Sequence, residues 1–196
     1  GIDSPKIAFS PERTIEGKAL VELETLPQII GAIDSSSMDL AKSLFNELSQ
    51  EIIEVESLEA AELIKLFNNT YRDCAFAISN TFNHIAQDFG IDGSRHIENA
   101  NLNYPRWNIA LPGFVAGPCL EKDAYILVDT LQDLASKKFI RSMRNMNEML
   151  EQEVANKIID LYRTKDLTLP ILLTGMAFKG QPSTNDLRGS SSTNIL

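Results

Sequence analysis

Cys119 is the residue in this sequence best suited to covalent chemistry. A loop that contains Gly113 and Gly117 leads into it, and a helix is predicted to begin there. The amides at a helix N-terminus favour the thiolate, which is the nucleophilic form of cysteine. Asp123 follows one helical turn later, where its carboxylate could orient a water molecule or tune the thiol. A small buried cysteine is the alternative interpretation, and it is the stronger one for Cys74, which lies in an apolar helical stripe.

Two other pairs of residues have the same spacing of four. Lys65 and Asn69 would share one face of a helix, where an ammonium and an amide can stabilise a developing oxyanion. Glu12 and Glu16 would share a face if their turn is helical, and two neighbouring carboxylates can divide acid and base work. Both spacings also have an explanation without any function. The first pair can be a lysine whose stem lies along the helix beside a surface amide, and the second pair can be a solvated acidic turn.

The first part of the chain predicts strands around one helix. Compact apolar or alternating runs indicate strands over 6–10, 28–33 and 51–55. Asp34 and the serines after it form a helix-start signal ahead of an apolar face at helical spacing. This β-α-β pattern resembles the end of a larger α/β sheet.

The rest of the chain is predicted to be mainly helical. Apolar residues at three- and four-residue steps indicate one helix of about 33 residues over 57–89, ending before Gly90. The predicted fold is therefore mainly α: a helical dimerisation domain with a long spine helix, flanked by partial α/β, Rossmann-like segments. The remaining elements are helices over 94–101, 121–136 and 138–163, a loop over 103–119, and a buried strand over 171–175.

Composition narrows the class of protein. The 196 residues carry a net charge of −9, which argues against a nucleic-acid partner. Two cysteines and two histidines argue against a disulfide scaffold and a zinc-finger-type metal site. There is no apolar run of the roughly 18 residues that a membrane span needs, and no signal peptide is expected. We expect a cytoplasmic protein from a reducing compartment.

Together, the motifs resemble those of the UDP-glucose/GDP-mannose dehydrogenase family of nucleotide-sugar 6-dehydrogenases. The resemblance lies in four separated segments in family order: Ser10-Pro11-Glu12-Arg13 with Glu16-Gly17, Glu59 to Asp73, Gly113 to Asp123, and Gly175 to Arg188. Residues 69–73 and 104–106 are most similar to members that act on UDP-N-acetylhexosamines.

The resemblance implies a three-part protein. Residues 1–56 would be the tail of an N-terminal NAD-binding domain, 57–167 a helical central domain that forms a homodimer, and 168–196 the start of a C-terminal nucleotide-sugar domain. The Gly-x-Gly-x-x-Gly fingerprint for NAD is absent from the sequence. The chain is accordingly interpreted as a fragment, with NAD bound mainly by the missing domain, and is expected to be inactive alone.

The family also implies roles for the paired residues. Two NAD-dependent oxidations would convert the C6 alcohol of a UDP-sugar to a carboxylate, with Cys119 forming a thiohemiacetal and then a thioester. Lys65 and Asn69 would stabilise the oxyanion. Glu16 would act as base for the hydrolytic water with help from Asp123, and Glu12 would support them.

Further residues would contact the nucleotide sugar. By resemblance they are Arg106, which would reach the partner subunit's site, and Phe114, Val115, Ala116, Gly117 and Lys179. The sequence departs from the usual family loop at Phe114 and Ala116, and from the later motif at Gly180 and Gly189. A catalytically degenerate dimerisation scaffold is the alternative to an enzyme, and the joint presence of the paired residues favours the enzyme.

Overall fold

A computed structural model describes residues 5–165, 168 and 170–196 of the chain. Helices make up more than half of the described residues, which confirms the predicted mainly α fold. Two compact units divide the chain, residues 1–68 and 69–196. The elements are β1 (Ala8–Phe9), α1 (Ala19–Thr25), β2 (Gln28–Ala32), α2 (Ser35–Phe45), β3 (Ile52–Val55), α3 (Leu58–Asp88), α4 (Gly93–Asn101), α5 (Leu120–Thr130), α6 (Leu134–Thr164) and α7 (Ser191–Ile195).

The first unit contains a small mixed sheet in the order β1-β2-β3. Strand β1 pairs antiparallel with β2, and β2 pairs parallel with β3. Ile29 and Ile30 on the central strand are buried, and α2 connects the two parallel strands. The Asp34 carboxylate accepts a hydrogen bond from the Ser37 amide at 2.6 Å, so the predicted helix start and the predicted β-α-β pattern are confirmed.

Helix α3 is as long as the apolar period predicts. It ends shortly before Gly90, whose φ of +70° is the left-handed conformation that commonly terminates a helix. In the second unit its buried face is small and polar, with Asp73, Ala77 and Asn80 almost fully covered. Within this unit, the large apolar side chains of the expected stripe lie on the exposed side of the helix. The residues of this exposed stripe are Tyr71, Ile78, Phe82, Ile85 and Phe89.

Helices α5 and α6 pack against each other, and Ala124, Leu127 and Val128 of α5 are buried. Helix α5 ends at Thr130, earlier than the predicted end at 136, and α6 begins at Leu134, earlier than the predicted start at 138. Asp133 caps α6 by accepting a hydrogen bond from the Ser136 amide at 2.6 Å, so the helix begins four residues earlier than expected. The Asp133 cap marks the boundary between α5 and α6, which the similar apolar periods of the two helices do not reveal.

The strand predicted over 171–175 is wrong, because these residues form no regular element. Ile171 and Leu172 are exposed, and no strand pairs with them within residues 170–196. A strand satisfies its backbone groups through a neighbouring strand, and this segment has none. Across the described ranges, no helix is both long and apolar enough to span a membrane.

Candidate active site

Cys119 is at the junction of a loop and a helix, as predicted. It is the residue immediately before α5 and is exposed to solvent. Its carbonyl oxygen accepts a hydrogen bond from the Asp123 amide at 3.0 Å, which closes the first turn. The thiol is therefore reachable and belongs to the N-cap residue of a helix, where the amides of Glu121 and Lys122 donate to the carbonyl oxygens of Gly117 and Cys119.

Asn69 and Asp123 are brought together in the second unit. The Asn69 amide donates to Oδ2 of Asp123 at 2.7 Å, and the ammonium of Lys122 is 2.5 Å from Oδ1. Asp123 is only 1% exposed although Lys122 itself is largely in solvent. The hydrogen bond to Asp123 raises the pKa of Lys122. A buried carboxylate with two polar partners is thus held one turn from the thiol.

The segment from Gly113 to Leu120, which carries Cys119, is fixed at its first residue by Asn80. The Asn80 side chain donates to the carbonyl oxygen of Gly113 at 3.0 Å and accepts from the Gly113 amide at 2.8 Å. One side chain therefore satisfies both backbone groups of a single loop residue. Asn80 is 2% exposed, so water does not compete for these bonds.

A buried ion pair holds the other end of the loop. Nη1 of Arg144 lies 2.6 Å from Oδ1 of Asp73 and donates to the carbonyl oxygen of Leu120 at 3.2 Å. Asn147 donates to Oδ1 of Asp73 at 2.8 Å, and its own oxygen accepts from Asn80 at 3.0 Å. Burial raises the pKa of Asp73, and the Arg144 guanidinium opposes that shift.

Sequence reasoning missed these four side chains. A signal was available, because Asp73 and Asn80 are seven residues apart on α3 and Arg144 and Asn147 are three apart on α6. Polar residues at such spacings share a helix face. We name Asp73, Asn80, Arg144 and Asn147 the loop clamp.

Three of the predicted substrate-binding residues line one pocket of about 250 Å³. They are Phe114, Ala116 and Lys179, and three consecutive serines, residues 190–192, line it as well. Gly117 adopts a φ of +99°, and a β-carbon there would lie 2.7 Å from the ring of Phe178. Any other residue at this position would be strained and would collide with that ring.

The remaining predicted substrate contacts lie outside this pocket lining. Val115 is buried, and the Gly117 amide donates to the Gly189 carbonyl at 2.9 Å. Arg106 is exposed, with its guanidinium 4.8 Å from the centre of the Tyr104 ring and its Nε donating to the Tyr104 hydroxyl at 2.8 Å. Arg106 is thus available at the surface of the loop.

In the first unit, Glu12 and Glu16 do not lie on a helical turn, so the condition under which their carboxylates would share a helix face is not met. The Thr14 amide donates to the Glu12 carboxylate at 2.7 Å and the Ile15 amide to Glu22 at 2.6 Å. Side chains therefore take the amides that a helix would need. The hydrogen bonds from Thr14 hold the pKa of Glu12 below its ordinary value, and the charge of Lys65 acts in the same direction.

Cys74 differs from Cys119 in its surroundings. It lies in the middle of α3 and is half-buried. Burial is the largest cause that raises the pKa of its thiol, and the nearby carboxylate of Asp73 adds to the shift. This environment fits the structural interpretation of Cys74.

Residues 59–149 match the sequence model of the UDP-glucose/GDP-mannose dehydrogenase family, central domain. This segment of the chain belongs to that family, which confirms the resemblance that its motifs predicted. The chain spans less than half the length of the curated relatives it matches.

Two of these relatives are named UDP-N-acetyl-D-mannosamine dehydrogenase. The one from Methanococcus vannielii is 33% identical over 97% of this chain and 44% of its own length. The one from Campylobacter jejuni is 32% identical over 97% of this chain and 46% of its own length.

Solved structures give the same likeness. A UDP-D-ManNAc dehydrogenase from Pyrococcus horikoshii is 30% identical with a TM-score of 0.82, over 96% of this chain and 45% of that one. A UDP-N-acetyl-mannosamine dehydrogenase from Staphylococcus aureus is 31% identical with a TM-score of 0.78, over 96% of this chain and 44% of that one.

Proposed function

We propose that the protein carrying this sequence is an NAD-dependent dehydrogenase that oxidises the C6 alcohol of UDP-N-acetylmannosamine, or a close UDP-N-acetylhexosamine, to the carboxylate. The observation that supports this most directly is the exposed Cys119 at the start of α5, one turn from the buried Asp123, whose carboxylate accepts a hydrogen bond from Asn69. The names of the relatives support the choice of sugar.

In this proposal Cys119 is the nucleophile. Its sulfur adds to the carbonyl carbon of the C6 aldehyde, and its proton ends on the carbonyl oxygen, which gives a thiohemiacetal. Asn69, together with Lys65, stabilises the negative charge that develops on that oxygen. Loss of a hydride from C6 and of the proton from the thiohemiacetal hydroxyl leaves a thioester. NAD is proposed as the hydride acceptor.

Hydrolysis of the thioester returns the thiol. Glu16 takes a proton from the attacking water and Asp123 assists. Glu12, whose pKa is lowered, has a supporting role beside Glu16 as a carboxylate. The bond between sulfur and the acyl carbon breaks, the sugar carboxylate leaves, and the sulfur regains a proton.

The β2–α2 connection does not fit the pyrophosphate of a dinucleotide. Such a group is bound by free amides at a helix N-terminus after a glycine-rich turn. At α2, the carboxylate of Asp34 already occupies the amide of Ser37, and its negative charge would repel a phosphate. We assign no step of NAD binding to these residues.

We propose that the nucleotide sugar is bound by the pocket of the second unit. Lys179 would contribute a positive charge, and the backbone of Phe114, Val115 and Ala116 would contribute amides. Gly117, whose amide donates to the Gly189 carbonyl, would give the loop its shape. The φ of +99° at Gly117, which glycine adopts without strain, lets the loop backbone approach the ring of Phe178, a residue that lines this pocket. Arg106 is proposed to act at the partner subunit's site.

A homodimer through α3 belongs to the same proposal. Tyr71, Ile78, Phe82, Ile85 and Phe89 form the exposed stripe and are between 41% and 78% exposed. The helix has 31 residues and is about 46 Å long at 1.5 Å per residue. An apolar stripe along such a helix is typical of an interface.

The test is an assay of the complete protein with NAD and UDP-N-acetylmannosamine, following NADH by absorbance and the sugar acid by mass spectrometry. Two NADH are expected for each acid, because alcohol to carboxylate is a four-electron oxidation. Cys119→Ala is expected to form no acid, and Cys74→Ala is the matched control that retains activity. A folded protein that reduces no NAD with any UDP-sugar would contradict the proposal and favour the scaffold.

The substrate pocket has its own test. Lys179→Met is expected to raise the KM for the UDP-sugar about 10- to 150-fold with a smaller effect on kcat, since a lost charge-assisted contact costs on the order of 1.5–3 kcal/mol. Lys138→Met, on the exposed surface of α6, is the control. An unchanged KM would remove Lys179 from the binding site.

A further inference from the structure

The loop clamp joins the two ends of the segment that carries Cys119. At one end Asn80 holds both backbone groups of Gly113. At the other end Arg144 binds the carbonyl oxygen of Leu120, the residue next to the thiol. Between these ends, hydrogen bonds run from Asn80 to Asn147, from Asn147 to Asp73, and from Arg144 to Asp73.

Every member of the loop clamp is buried. Asp73, Asn80, Arg144 and Asn147 are each 1–2% exposed. Hydrogen bonds between buried groups polarise one another and gain strength in a low dielectric. Loss of one partner leaves another polar group buried without a hydrogen bond, so the members are energetically coupled.

A buried ion pair is a weak explanation for stability alone. Well-packed apolar side chains often replace such a pair with no loss of stability, because removing two charges from water is costly. What the Asp73–Arg144 pair adds is direction: it aims a guanidinium N–H at one backbone oxygen of α5. Helices α3 and α6 supply the rigid supports, with Asp73 and Asn80 on one and Arg144 and Asn147 on the other.

We propose that the loop clamp consists of positioning residues for Cys119. It holds residues 113–120 in one conformation, in which the thiol stands at the N-terminus of α5. The four side chains do not touch the reacting atoms; they act through the loop backbone. A catalytic purpose for the loop clamp rests on the proposed function of Cys119 as nucleophile. The energetic coupling between the two ends of the segment does not depend on that proposal.

Hydrogen exchange of the 196-residue chain tests the coupling. Asn80→Ala removes the contact with Gly113, and we expect amide exchange at residues 120–123, at the opposite end of the loop, to accelerate about tenfold, which corresponds to about 1.4 kcal/mol. Exchange in α4 provides the internal reference. The exposed Asn156→Ala on α6 is the matched control and is expected to change neither region.

Alkylation of Cys119 with iodoacetamide at constant pH tests the positioning. Because the thiol is already exposed, a looser loop gives no further access, and loss of its fixed position before α5 is expected to slow its reaction several-fold. The rate at Cys119 of the same variant in denaturant is the reference, because Asp73 and Arg144 both act on Cys74. If Asn80→Ala does not fold, Arg144→Lys, which keeps a cation opposite Asp73, gives the reciprocal measurement at Gly113.

Three results would overturn the proposal: faster exchange that stays beside the substituted residue, equal acceleration in α4, or unchanged alkylation of Cys119. None of these measurements uses enzymatic activity. The complete protein could therefore lack dehydrogenase activity while the two ends of the segment remain coupled. That result would refute the proposed function but not the coupling.

Discussion

The side-chain amide of Asn69 donates to Oδ2 of Asp123 at 2.7 Å and so joins α3 to the first turn of α5. These two residues are 54 positions apart in the sequence. Each lies four residues from a different candidate partner, which is Lys65 for Asn69 and Cys119 for Asp123. The hydrogen bond links the candidate oxyanion residue to the carboxylate beside the candidate nucleophile.

Replacing Asn69 by Ala is expected to lower the free energy of unfolding by about 1–3 kcal/mol, because Asp123 is buried and would keep only Lys122 as a polar partner. Urea denaturation followed by circular dichroism measures the change. Asn68→Ala, the exposed neighbour on α3, is the matched control and is expected to stay within about 0.5 kcal/mol of the parent chain. Equal losses in both variants would mean that the hydrogen bond contributes little.

Some of this site could be predicted from sequence because the signals are local. The start of α5 at Cys119 follows from a glycine-bearing loop and a helical period, and the cap of α2 follows from Asp34 and the serines after it. Each of these features is decided by groups within about one helical turn.

Other parts depended on distant partners. From the sequence alone, Asp73 is expected at the surface. It is buried because it pairs with Arg144, which lies 71 positions later in the sequence. The strand expected over 171–175 needed a neighbouring strand. The turn from Glu12 to Glu16 was decided by side chains, since Glu22 takes the Ile15 amide. Periodicity carries no information about such contacts.

The cap of α2 predicts a specific response to acid. The hydrogen bonds from Ser37, and then from Ser36, lower the pKa of Asp34 from its ordinary value of 3.8 to about 2. Its folded pKa is depressed, so its contribution to stability is fully present above pH 3.8 and is lost as the pH falls through about 2. Asn is also a good cap but carries no charge, so Asp34→Asn is expected to remove this part of the pH dependence.

Unfolding of the parent chain and Asp34→Asn should therefore be compared between neutral pH and pH 2. The difference between the free energies of unfolding of the two chains is expected to become smaller as the Asp34 carboxylate becomes protonated. Asp39→Asn, on the same helix, is the control. A difference that is independent of pH would show that the charge of Asp34 does not contribute.

The exposed stripe on α3 predicts the oligomeric state. A carboxylate in an apolar interface would lose its hydration without a partner, so Phe82→Glu is expected to shift the chain from dimer to monomer at micromolar concentration. Analytical ultracentrifugation measures the shift. Leu40→Glu, at an exposed apolar position of α2, is the control that should leave the dimer intact. A parent chain that sediments as a monomer at the same concentration would exclude this interface.

The two cysteines predict different reactions with an alkylating reagent. Burial raises the pKa of the Cys74 thiol, so at any pH below that value a smaller fraction of it is thiolate than for an ordinary cysteine. Cys119 is exposed and lies at a helix N-terminus. Iodoacetamide labelling of the folded chain from pH 6 to 10, about the range in which thiols ionise, with each site quantified by peptide mass spectrometry, is expected to modify Cys119 first and Cys74 only towards the alkaline end. In denaturant, where both thiols are free of the fold, the two rates should converge. Faster labelling of Cys74 in the folded chain would contradict the assignment of Cys119 as the reactive thiol.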